Sequence, residues 1–101
     1  MNAAETAQNT VEKFGARDVF VLAERAGVKI VYENWHPVTV GEFDRKAKTI
    51  RVNLLALTDN KFSTEAIVAH ELGHFFAAEF NLSRAEEETF AVEFAKELTK
   101  K

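Results

Sequence analysis

Residues 63–80 read "STEAIVAHELGHFFAAEF". Ser63 is a good helix N-cap, and Phe62 before it can pack against Ile67 one turn on, so the stretch begins as helices begin. Ala66, Ile67, Val68, Ala69, Leu72, Phe75, Phe76 and Ala77 then make it apolar on most sides as far as about Phe80, which predicts a buried helix. Within it, "HELGH" sets His70 and His74 one turn apart and about 40° around the axis. Both imidazoles can reach a single ion. Two histidines and a glutamate inside a buried helix need partners, and a metal supplies one. Gly73 points the same way, because a glycine costs about 1 kcal/mol against alanine within a helix and is explained by another element approaching closely there.

Upstream the chain reads first as helix and, after Gly27, at the shorter period of strands. "ARDVFVLAERA" at 16–26 places Val19, Leu22, Ala23 and Ala26 at helical spacing, which predicts a helix from about Arg17 to Ala26, stopped by Gly27. A looser helix is expected before Gly15. After Gly27, "VKIVYENW", "VTVGEFD" and "KTIRVN" are short, alternating and rich in β-branched and aromatic residues. Three strands follow, with Pro37 in the first turn and "DRKAK" at 44–48 forming the second. Gly41 marks a bulge or a close backbone approach.

Downstream, "NLSRAEEETFAVEFAKELTKK" supplies a turn and a last helix, which Ser83 and Glu86 can open as a capping box. Its terminal lysines suit the negative end of the helix dipole. Helix, strands, helix, helix is an α+β arrangement, and 101 residues fit one domain, spanning 1–101.

Composition narrows the chemistry. Hydrophobic residues at 47% and charged residues at 29% exclude a disordered chain. There is no cysteine, so disulfides, thiolate metal ligands and thiol catalysis are excluded, and any metal must be held by nitrogen and oxygen. The net charge is −3, with the 13 basic residues scattered, which disfavours direct nucleic-acid binding. The start, "MNAAETAQNTVEKF", has no secretory pattern and no apolar run approaches a membrane span, so a cytoplasmic location away from membranes is expected.

H-E-x-x-H on a helix carries a physical mechanism: two zinc ligands, His70 and His74, and a carboxylate, Glu71, placed as general base for water on the metal. A catalytic zinc needs a third protein ligand and an open position. His36 is the only other histidine and lies in a turn, so a carboxylate is the better candidate. The last helix opens with Glu86, Glu87 and Glu88, and its apolar stripe is Phe90, Ala91, Phe94, Ala95 and Leu98. Helical geometry puts Glu86 away from that stripe, while Glu87 and Glu88 flank it, and spacing does not choose between them. An acidic first turn favoured by the helix dipole accounts for the others. Tyr32, His36 and Arg84 are the candidate oxyanion donors. An extended peptide is expected to add as a further strand beside "KTIRVN".

With "LAERAGVKI", "GEF" at 41–43, "IRVN" at 50–53, "FSTEAIVAHELGHFF" at 62–76 and "EETFAVEFA" at 87–95, the chain from about Val19 resembles the minimal zincin domain of ImmA/IrrE-type metallopeptidases. In that family the third ligand is a glutamate followed at fixed spacing by alanine and Phe-Ala. Glu88, Ala91, Phe94 and Ala95 match it, so the resemblance implies a zinc site of His70, His74 and Glu88, with Glu87 as the fallback. Val92 stands where the family usually has asparagine or aspartate. The resemblance further implies a zinc-dependent peptidase with Glu71 as general base, cleaving a regulatory protein such as a transcriptional repressor once rather than digesting it. The reading from another class is a non-catalytic zinc-binding regulatory or interaction module, against which Glu71 argues because a structural site has no use for a base. Peptide deformylase shares the motif but needs a cysteine ligand, and metzincins need a third downstream histidine; this chain has neither.

Overall fold

The structure, a computed structural model, describes residues 2–35, 39–57 and 63–100. Helix α1 (Ala3–Phe14) opens at Asn2, whose side chain accepts from the Glu5 N–H, and closes at Gly15 in the left-handed region, φ 68°. It is a regular helix where the sequence suggested a looser one. Helix α2 (Val19–Arg25) is capped by Asp18, which accepts from the Phe20 and Val21 amides, within two residues of the expected start. Gly27, at φ 78°, then turns the chain so that the Val28 amide donates back to Ala23 at 2.8 Å.

The three expected strands are present as β1 (Lys29–Glu33), β2 (Gly41–Asp44) and β3 (Thr49–Asn53), in the order β1-β3-β2. β1 runs parallel to β3, with Ile30 opposite Ile50, and β2 runs antiparallel to it, with Gly41 opposite Val52. This corrects the expectation of a peptide adding beside "KTIRVN". β3 is the central strand and both of its edges are already paired. The reason is hydrophobic: Ile50 and Val52 are wholly buried, and the centre of the sheet is where flanking strands and helices together exclude water. On the other face Arg51 reaches Glu33 of β1 at 2.6 Å and pairs with Glu42 of β2, tying both neighbours to the centre. Register continues unbroken through Gly41, so there is no bulge. A Cβ there would lie 2.6 Å from Ile67 Cγ2, and the glycine marks a close approach. The expected turn at Pro37 and the staple by Phe62 lie outside the described residues.

A one-turn helix, α3 (Leu54–Leu57), follows β3 and was not expected from the sequence. The buried Asn53 builds it: its Oδ1 accepts from the Leu55 amide at 3.1 Å, while its Nδ2 donates to the Thr39 carbonyl at 2.9 Å. Helix α4 (Thr64–Ala77) is capped by Ser63 as expected, then tightens into a 3-10 turn (Ala78–Phe80) before Asn81 at φ 52°. Helix α5 (Arg84–Leu98) opens on the full capping box: Ser83 Oγ accepts from the Glu86 amide and the Glu86 carboxylate from the Ser83 amide. Those hydrogen bonds hold the Glu86 carboxyl below its ordinary range.

Helix α4 packs on the sheet and on α5, and α1 packs along α5. Phe76 of α4 stands 5.5 Å from Phe94 of α5 and 6.2 Å from Phe14 of α1, so aromatic rings join the three helices. The negative end of α5 is met by Arg17, which donates to the Glu97 and Leu98 carbonyls at 3.0 and 3.2 Å. Helices α4 and α5 approach closely at Gly73, where a Cβ would lie 2.7 Å from Ala91 Cα. The predicted close contact therefore exists, and it is helix against helix. The result is a compact α+β domain with a radius of gyration of 12.8 Å, as expected for a packed chain of this length. No described helix is long and apolar enough to cross a membrane.

Candidate metal centre

Contact between Gly73 and Ala91 fixes the site. Glu88 lies three residues before Ala91 on α5, and His70 and His74 bracket Gly73 on α4, so helices in backbone contact bring the three side chains together. Glu88 Oε1 lies 2.9 Å from His70 Nε2, and Glu88 Oε2 lies 3.1 Å from His74 Nε2. One donor atom from each of the three falls within 4.8 Å of the others. This is the set that the resemblance implied. A divalent cation at the point of convergence would meet two imidazole nitrogens and a carboxylate, the donor types borderline metals such as zinc prefer, so the residues fit the group. The Glu88 side chain is 58% exposed, against 28% and 20% for the histidines, so one side of the cluster opens to solvent.

Glu87 is placed elsewhere. Its Oε1 lies 2.8 Å from Nδ1 of His74, the ring nitrogen facing away from Glu88, and 2.7 Å from Nη2 of Arg45 in the turn at 45–48. Sequence spacing left Glu87 and Glu88 open as ligands. The structure separates them by which nitrogen of His74 each one meets.

Glu71 is the buried carboxylate of the group, 7% exposed. Burial pushes its carboxyl from the ordinary 4.5 up to about 7; the His74 side chain opposes that, and the charges of Glu88 and Glu42 add to it. His70 is held below its ordinary 6.5, first by burial and also by neighbouring His74, against the pull of Glu88.

A cavity of about 420 Å³ contains both histidines, Glu71, Glu87 and Glu88, and its opposite wall is the chain from Thr39 through Phe43. Strand β2, an edge of the described sheet, therefore borders the cluster. A second cavity, of about 570 Å³, is lined by His74, Arg84, Glu87 and Glu88. Of the candidate oxyanion donors, Arg84 reaches the cluster's surroundings, Tyr32 stands on β1 at the opposite edge of the sheet, and His36 lies outside the described residues. Sequence reasoning missed Arg45 and Asn53. Arg45 has no local signal, because its partner is far along the chain. Asn53 does have one: a short amide closing a β-branched strand is a natural turn-maker. Comparison with protein families, with curated proteins and with solved structures finds no match for this chain.

Proposed function

We propose that the chain is a zinc-dependent peptidase with the minimal zincin arrangement, hydrolysing a peptide bond in an extended segment of a regulatory protein such as a transcriptional repressor. One observation carries this reading: a converging His70, His74 and Glu88 donor set, open to solvent on one side, shares its cleft with the buried carboxylate Glu71. A purely structural site would be closed and would need no base beside it.

Bound zinc would supply a Lewis acid that polarises the scissile carbonyl and makes water more acidic. His70, His74 and Glu88 would hold it. Glu71 takes a proton from the attacking water and passes it to the leaving amine nitrogen. Its carboxyl, raised to about 7 in the absence of a cation, is a stronger base than an exposed carboxylate, which favours uptake of the water proton, and a nearby divalent charge draws it toward the ionised form that this step needs. The substrate backbone adds along β2, the strand that borders the cleft, with main-chain hydrogen bonds fixing its direction.

The test begins with metal content by mass spectrometry on protein purified without added zinc, and on His74→Ala and Glu88→Ala. About one zinc per chain, lost in both variants, is expected. Glu71→Gln should retain the zinc and lose at least 100-fold in turnover of a cleaved partner. Undiminished turnover by that variant would remove Glu71 as the base, and a zinc-loaded wild type that cleaves nothing would convert the reading to a non-catalytic zinc-binding module.

A further inference from the structure

We infer that Glu87 is a positioning residue for His74, steadied by Arg45, so that the metal ligand on α4 is oriented from the β2–β3 turn; the inference rests on the reading of His70, His74 and Glu88 as a metal site. His74 meets a carboxylate at each ring nitrogen: Glu88 at Nε2, 3.1 Å away, and Glu87 at Nδ1, 2.8 Å away. An imidazole that binds a metal through Nε2 must carry its proton on Nδ1. An acceptor at Nδ1 selects that tautomer, fixes the ring plane and makes the opposite nitrogen a stronger donor to the metal. Arg45 Nη2 donates to the same Glu87 oxygen at 2.7 Å, so that oxygen receives two donors and the carboxylate is held in one rotamer. Glu87 is also the more enclosed of the two glutamates, 20% exposed against 58% for Glu88. The turn carrying Arg45 is itself pinned: the Ala47 amide donates to Asp44 Oδ1 at 3.1 Å, and the Thr49 hydroxyl to the Ala47 carbonyl at 2.9 Å. Val92, one turn beyond Glu88, is apolar and 48% exposed and offers the histidines no hydrogen bond.

The experiment measures zinc affinity of the full chain by competition with a chromogenic chelator, together with the ¹H–¹⁵N signal of the His74 Nδ1–H in the zinc-loaded protein. Glu87→Ala should weaken affinity about 10–100-fold and move or erase that signal. Glu87→Gln, which keeps an acceptor oxygen, should recover part of both, and Arg45→Ala should fall between wild type and Glu87→Ala. Wild-type affinity and an unmoved His74 signal in Glu87→Ala, with zinc lost in Glu88→Ala, would overturn the inference and leave the metal site standing. Complete loss of zinc in Glu87→Ala would also overturn it, by making Glu87 a ligand. A wild-type chain that binds no zinc would remove the site and the inference together.

Discussion

Glu71 carries an electrostatic cost that can be measured without a substrate. In the metal-free chain its carboxyl is raised from 4.5 to about 7, so the folded state holds this proton more tightly than the unfolded state does. That contribution is fully present below about 4.5 and is lost as the pH rises through about 7, on the order of 3 kcal/mol in all. His70 has the opposite sign: its value is depressed below 6.5, so its contribution is present above 6.5 and lost as the pH falls. The melting temperature of chelator-treated Glu71→Gln should therefore rise relative to wild type between pH 5 and 8. A gap that stays constant with pH would remove the buried-carboxylate account. At this scale His70, Glu71 and His74 were legible because helix periodicity alone places them together. Glu88 was not separable from Glu87 by geometry, since neighbours 100° apart both flank the same stripe. Arg45 was illegible because its contact with Glu87 depends on how a turn and a helix distant in sequence come to pack.

Gly73 decides the spacing of α4 and α5. Alanine at this position gains about 1 kcal/mol of helix propensity. Its Cβ would meet backbone, Ala91 Cα at 2.7 Å and Ala91 O at 3.0 Å, so the helices must part, and such overpacking costs about 1–3 kcal/mol. Gly73→Ala should therefore lower stability by up to about 2 kcal/mol. It should also weaken zinc binding, because Glu88 moves with α5. Denaturant unfolding and chelator competition check the two effects, and a variant more stable than wild type would show that the contact is loose. Most elements could be read from the sequence, because capping and breaking residues are local: Gly27, Ser63 and Ser83 act within a few positions of themselves. Strand order could not. Three short strands admit several pairings, and the one adopted depends on burying Ile50 and Val52 under helices that come later in the chain.

For the molecule as a whole, a metal that binds only the folded state stabilises it by mass action. With free zinc about 100-fold above its dissociation constant the gain is about 2.7 kcal/mol, which for a domain of this size raises the melting temperature by roughly 10–20 °C. Thermal scans with and without zinc should show that rise in wild type and none in His74→Ala or Glu88→Ala. An equal rise in all three would place the zinc elsewhere on the chain. The sheet has a consequence of a different kind, because its two pairings are not equally easy to make. β2 and β3 meet through a short turn, so their hairpin can close through local contacts, whereas β1 must wait for that hairpin before it finds a parallel neighbour. The wall of the cleft therefore belongs to the part of the sheet paired through contacts local in sequence, while β1 is joined to it by contacts of longer range.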